Sequence, residues 1–127
     1  MDQLSKLALE VTQQKSTEPA FSKNYFEFQK QNEKPYYCTV CTNLLFDANS
    51  KMKTKCGWPA FNEAVKDSTK QIIDNSHGMQ RVEVVCSKCG AHLGHVFENE
   101  YGPGTRRYCI NAVCLAWQEE DKIKRFE

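Results

Sequence analysis

Apolar residues near the start of the chain recur at helical spacing. Leu4, Leu7, Ala8 and Val11 fall on one face, which predicts a short amphipathic helix with Asp2 as its N-cap. Thr17-Glu18-Pro19 breaks it, so residues 1–20 read as a helical arm. Residues 21–28 are rich in aromatics and read as a segment laid across the body of the domain. Beyond them the apolar runs become short and strand-like, at 36–38, 44–46, 72–74, 81–85, 95–98 and 107–115. Turn residues punctuate them, notably Asp47-Ala48-Asn49-Ser50 and Asn75-Ser76-His77-Gly78. Many short strands after one helix predict a mainly β fold, a small antiparallel sandwich or open barrel. Residues 118–127 are charged and read as an exposed tail.

Composition narrows the function classes. The chain has 127 residues, enough for one domain with a real core. Its net charge is +1, which offers no electrostatic reason for nucleic acid or an anionic membrane as partner. No apolar run approaches the roughly 20 residues that span a bilayer. The N-terminus lacks the basic and apolar regions of a secretory signal. These features predict a cytoplasmic protein, where cysteines serve more often as ligands or catalysts than as disulfide staples. There are seven cysteines, so at least one stands outside any set of pairs.

Four of them form two CxxC units, Cys38-Thr-Val-Cys41 and Cys86-Ser-Lys-Cys89. A two-residue gap lets both sulfurs of a knuckle face one tetrahedral ion, and two knuckles complete a thiolate shell. A redox CxxC is the competing use, but two such motifs in one small domain fit one metal better. The expected ion is a structural Zn²⁺, although ligand softness also admits iron. The knuckles are separated by more than the roughly 15–20 residues of a compact zinc ribbon, so a subdomain is inserted between them. Gly90 suits the turn after Cys89, whereas Thr42 in the matching place is less usual.

Cys56, Cys109 and Cys114 remain. A free cysteine is most often a small buried hydrophobe. On a strand, however, Arg107, Cys109 and Asn111 share one face, and a guanidinium beside a thiol favours the thiolate. His92 and His95 could supply acid or base function. Strand spacing sets them on opposite faces, but Gly94 between them allows a bend. Cys56 lies in Lys55-Cys56-Gly57-Trp58-Pro59-Ala60-Phe61, which cannot be a regular helix or central strand. It reads as a binding loop, with Trp58 and Phe61 as core residues the alternative. An aromatic face such as Trp58 attracts sulfur and its methyl groups.

Taken together, these residues resemble the methionine-R-sulfoxide reductases of the B type. The match runs over nearly the whole chain, through Thr17-Glu18-Pro19-Ala20-Phe21-Ser22, both CxxC units, the Cys56–Phe61 loop and His77-Gly78-Met79. It continues through His92-Leu93-Gly94-His95-Val96-Phe97 and Arg107-Tyr108-Cys109-Ile110-Asn111. The resemblance implies two antiparallel sheets, N-terminal helices and a structural zinc on Cys38, Cys41, Cys86 and Cys89. It implies Cys109 as the nucleophile that becomes a sulfenic acid, and Cys56 as the cysteine that closes a disulfide with it. His95 and His92 match the acid and oxygen-binding positions, Arg107 and Asn111 the supporting residues, and Trp58 and Phe97 the substrate wall. Thioredoxin is the implied reductant, methionine-R-sulfoxide in oxidised proteins the implied substrate, and a monomer the expected state.

Several positions depart from the family pattern. Ala60 and Ala112 stand where serine is usual. Asn99 falls near a supporting carboxylate, which leaves Glu98 and Glu100 as replacements. Cys114 is additional. If residues 107–115 form one strand, Cys114 lies roughly 17 Å from Cys109 at about 3.3 Å per residue, too far for a disulfide. The rival reading is a zinc-ribbon-type module that binds proteins and catalyses nothing.

Overall fold

Strand pairing around β6 organises the molecule. In the computed structural model, which describes residues 4–75, 78 and 80–126, a five-stranded sheet runs in the order β3-β7-β6-β5-β4. Its strands are β3 (Ala60–Phe61), β4 (Thr69–Asp74), β5 (Arg81–Cys86), β6 (His92–Glu98) and β7 (Arg106–Ile110). A second sheet, in the order β2-β1-β8-β9, is built from β1 (Tyr36–Cys38), β2 (Leu44–Phe46), β8 (Leu115–Glu119) and β9 (Lys122–Arg125). All pairings are antiparallel. The mainly β fold expected from the short apolar runs is therefore the observed one.

Aromatic side chains fill the space the sheets share. Tyr36, Phe46, Phe61, Tyr108 and Leu115 enter one buried cluster with Val84, Leu93 and Ile110. Phe46 stacks on Phe61 at 4.1 Å between ring centroids, an offset arrangement that adds to their area burial. The core thus takes Phe61 for itself, while Cys56 and Trp58 in the loop before it stay half-buried.

Two helices pack on this body. Helix α1 (Lys6–Gln14) buries Ala8 and Val11, as its periodicity predicts. Its cap is Ser5, whose hydroxyl accepts from Ala8 N; the expected Asp2 lies outside the described residues. The aromatic segment is itself a helix, α2 (Lys23–Lys30), capped by Ser22 and buried through Tyr25 and Phe28. Ser76, His77 and Met79, part of an expected turn and motif, also lie outside the described residues.

Two expectations need correction. The charged C-terminal segment is no exposed tail. β8 and β9 form a hairpin that turns through Glu120, at φ 58°, and Phe126 is 3% exposed, with its ring 4.5 Å from that of Trp117. The charges occupy the outer face, which hid a strand whose one inward anchor is the ring beyond it. Residues 107–115 are also not one strand. β7 ends at Ile110, and a 3₁₀ turn at Ala112–Cys114 carries the chain across to β8 in the other sheet.

Candidate active site

Cys109 lies near the middle of β7, directly opposite His95 on β6 and Ala60 on β3. Directly opposed residues share a face, so the thiol and the imidazole meet across one rung. The next rung pairs Phe97 with Arg107, whose guanidinium sits 4.6 Å from the Phe97 ring centroid.

His92 should point away from His95, being three residues earlier. A bulge prevents this. Val84 pairs with Gly94 and Val85 with His92, leaving Leu93 as an extra residue on β6. One inserted residue reverses the parity, and the two imidazole rings come within 5.6 Å. Gly94 has a different task from the bend the sequence suggested. A Cβ there would lie 2.0 Å from the Cys109 carbonyl oxygen, so only glycine lets β7 approach β6 this closely.

The histidines have separate surroundings. His95 Nε2 is 3.1 Å from Asp74 Oδ2, at the end of β4. His92 is buried and its Nδ1 is 2.8 Å from Glu83 Oε2, while Lys15 approaches the other oxygen of Glu83 at 3.1 Å. Burial lowers the His92 pKa against the pull of Glu83. Burial thus favours the neutral imidazole, whose Nδ1–H tautomer is the one that can donate to the Glu83 carboxylate. Among the described residues His95 lines the pocket below and His92 does not.

The Cys56 and Cys109 thiols are in hydrogen-bonding contact, and neither is in a disulfide. Such a contact lets the two sulfurs share one proton. Cys56 is drawn down to about 5, chiefly by the hydrogen bond from Cys109, with Thr54, the Trp58 amide and Arg107 assisting against burial. Cys109 is pushed up by that same bond, by burial and by charge on Cys56, while Arg107 pulls it down. Both directions make Cys56 the more acidic of the two thiols, and its Sγ also lies 3.2 Å from the Trp58 carbonyl oxygen, to which the protonated form donates. In the reduced protein, iodoacetamide should label Cys56 with an inflection near pH 5. Cys56→Ser removes the largest upward influence on Cys109 and supplies a hydroxyl donor, so labelling of Cys109 should then move to lower pH. Peptide mapping across pH 4–10 checks both, and an alkaline inflection for Cys56 would refute the shared-proton arrangement.

A pocket of about 170 Å³ opens over this pair, with Trp58, Phe97, His95 and Arg107 among its walls. Trp58 is fixed by its Nε1–H, which donates to the Glu18 carbonyl at 2.8 Å. Asn111 donates through Nδ2 to the Leu93 carbonyl at 3.0 Å and lines the pocket beside Cys109. Apolar walls, a cation and an imidazole over a thiol pair can hold an alkyl sulfur compound while protonating a polar atom on it.

At the other end of β5, Cys38, Cys41, Cys86 and Cys89 converge, with all four sulfurs within 4.8 Å of one another. Cys38 to Cys89 is 3.7 Å and Cys41 to Cys86 is 3.6 Å. The edge of a tetrahedron with a metal–sulfur bond of about 2.3 Å is about 3.8 Å, so the donor set fits one ion. The turns match: Thr42 N donates to Cys38 O at 2.8 Å and Gly90 N to Cys86 O at 2.9 Å. Both turn residues have positive φ, 64° at Thr42 and 77° at Gly90. Thr42 adopts glycine's conformation there, which is why it looked unusual in sequence.

A family model described as the SelR domain matches residues 4–119. The chain belongs to the SelR-domain family. Among its relatives is a peptide methionine sulfoxide reductase MsrB of Pseudomonas fluorescens, 48% identical over 106 residues, which cover 83% of this chain and 80% of the relative. The resemblance read from the motifs is therefore a true membership.

Within the SelR-domain framework, the structure separates the candidates for the missing carboxylate. Glu100 binds Arg107 through two hydrogen bonds of 2.7 and 3.2 Å. Asn99 turns the loop at φ 64°, its Oδ1 accepting from Gly104 N, and Glu98 pairs outward with Arg106 at 3.6 Å. Cys114 is fully buried and donates to the His92 carbonyl at 3.2 Å. Sequence reasoning missed Asp74, Glu83 and Glu18. The first two face their histidines only through strand register, and only the acidic residue within Thr17-Glu18-Pro19 carried a hint of its own.

Proposed function

We propose that the pocket over Cys109 is where this SelR-domain oxidoreductase reduces methionine-R-sulfoxide to methionine, with Cys109 as nucleophile. The observation that carries the reading is the Cys109 thiol held against both His95 and a second thiol, Cys56. The reaction begins when the shared proton passes to Cys56 and Arg107 steadies the Cys109 thiolate. That sulfur attacks the sulfoxide sulfur. The sulfoxide oxygen must be protonated to leave sulfur, and His95 lies on the rung where it would donate. The products are methionine and the Cys109 sulfenic acid, the oxygen having passed from one sulfur to the other. Cys56 then attacks the sulfenic sulfur, expelling water and closing a Cys56–Cys109 disulfide. An external dithiol restores both thiols by exchange, and thioredoxin is the reductant of that class we assign.

Trp58 and Phe97 form the wall for the methyl-bearing end of the substrate, an aromatic–sulfur contact of known favour. Phe21, exposed and hydrogen-bonded through its N–H to the carbonyl of Gly57 next to Cys56, suits contact with a peptide carrying the substrate side chain. Seven free thiols accord with a reducing, cytoplasmic setting, and no helix among the described residues is long and apolar enough to cross a membrane. The four-cysteine cluster would hold Zn²⁺, which in a closed thiolate shell supplies structure and no chemistry.

The test is dithiothreitol-dependent reduction of the separate R and S epimers of a blocked methionine sulfoxide, followed by peptide mapping. Turnover of the R epimer alone and a Cys56–Cys109 link are expected. A dominant Cys109–Cys114 link would overturn the assignment of Cys56. A non-catalytic binding module would turn over neither epimer.

Asp74 bears on the acid. His95→Ala should slow single turnover by about 10²–10⁴-fold, the usual worth of a general acid. Asp74→Asn takes the carboxylate from His95 Nε2 and leaves Arg81, 4.0 Å from Asp74, nearby. The imidazole then loses the contact that orients it, so the single-turnover rate should fall, by less than in His95→Ala. A rate unchanged from wild type would make the Asp74–His95 contact structural only.

A further inference from the structure

Glu18 has no part in the chemistry above, yet its side chain is 0% exposed. An ionised carboxylate is costly to bury unless donors surround it. Here they do. Asn24 Nδ2 donates to Oε1 and Ala112 N to Oε2, both at 3.0 Å. The Ser22 hydroxyl and Val113 N also bond to it. Burial pushes the carboxyl upward in pKa and these four donors pull it back. The carboxylate therefore ties the arm between α1 and α2 to the chain just beyond β7.

The peptide groups of the same residue reach the pocket. Glu18 N donates to Asn111 Oδ1 at 2.9 Å, and Glu18 O accepts from Trp58 Nε1 at 2.8 Å. The neighbouring Thr17 is itself part of the pocket wall. Trp58 and Asn111, 40 and 93 positions away in sequence, are thus held by the backbone of one residue. That backbone stays in place because the Glu18 side chain is anchored.

We propose that Glu18 is the positioning residue of the substrate pocket, its buried carboxylate pinning the arm so that the Trp58 indole and the Asn111 amide keep their places. The inference rests on the substrate-wall reading of those two residues. Glu18 touches neither the reacting sulfurs nor the space above them, so its effect passes through Trp58 and Asn111. Four donors converge on two oxygens, and an amide in that position would turn its own N–H groups toward one of them. Glu18→Gln therefore breaks the anchor with almost no change of shape.

The experiment uses the full metal-loaded chain in a Trp117→Phe background, which leaves Trp58 as the sole emitter of the two tryptophans. Glu18→Gln should shift Trp58 emission to the red and increase its quenching by acrylamide. KM for the R epimer of blocked methionine sulfoxide should rise at least fivefold, with a smaller fall in the saturated single-turnover rate. A folded variant with a lower Tm but unchanged emission and KM would make Glu18 a stability residue and overturn the proposal. Should Glu18→Gln not fold, Asn24→Ala removes one donor outside the pocket. A smaller red shift there supports the anchor, and unchanged emission overturns it. Emission needs no turnover, so the shift tests the anchor even if Cys109 proves not to be the nucleophile.

Discussion

Cys109→Ser should not release even one equivalent of methionine from the R sulfoxide. Serine preserves the shape of the site, so the strand pairing of Cys109 with His95 and Ala60 and the surrounding pocket should survive. What changes is the attacking atom. An unactivated alcohol at neutral pH is a far poorer nucleophile than a thiolate, and nothing near Cys109 is arranged as the strong base a serine would need. His95 lies across the rung from position 109, but its Nε2 is engaged by Asp74, as His92 Nδ1 is by Glu83, so neither imidazole is hydrogen-bonded to that side chain as its base. The single-turnover rate should fall by at least about 10⁴-fold, in the range seen when an activated nucleophile is removed. Rapid quenching without reductant measures it. A wild-type burst of methionine would move the nucleophile to Cys56, the more acidic of the two thiols.

Cys86→Ser should abolish metal binding at the four-cysteine cluster, the site proposed for Zn²⁺, and lower stability with it. Cys38 belongs to β1 and Cys86 to β5, so the four-sulfur cluster joins the two sheets. Each knuckle is held by its own backbone turn, and Asn43 Nδ2, bonded to Ser68 O and Cys86 Sγ, links the two ends as well. Structural zinc binding is apparent folding free energy of about 10–16 kcal/mol in small domains. Losing even roughly 4 kcal/mol of it would lower Tm by about 15 °C for a chain of this size. Metal content and calorimetry on the same preparation decide the matter. A metal-free Cys86→Ser protein melting like wild type would remove the structural role. Below its melting point, whatever protein remains folded should still reduce the R epimer, since the cluster lies apart from Cys109.

What could be read from the sequence depended on the range of the interaction. The CxxC units, the α1 stripe and the Arg107-x-Cys109-x-Asn111 alternation are local patterns, and each carries its geometry within a few residues. The sheet register is not local. The bulge at Leu93 has no turn residue to announce it except Gly94, whose purpose is contact with the Cys109 carbonyl. Asp74 and Glu83 acquire meaning only when β4, β5 and β6 align. Charge misled at the C-terminus, where Lys122, Lys124 and Arg125 surround Ile123. A two-residue strand such as β3 is beyond any periodicity, and the Gly-Trp-Pro that precedes it spoke for a loop.

The terminal hairpin also bears on how the chain can be handled in the laboratory. The SelR match ends at residue 119, before β9 begins, and a boundary chosen by homology would stop there. Such a cut strips the outer partner from β8 and leaves a row of bare amides and carbonyls beside Trp117. It also empties the space that Phe126 fills against Phe28 and Tyr36. An unpaired strand next to an uncovered aromatic surface is a template for another chain. A shortened version would therefore tend to assemble through its edge and precipitate, with every residue of the pocket still present.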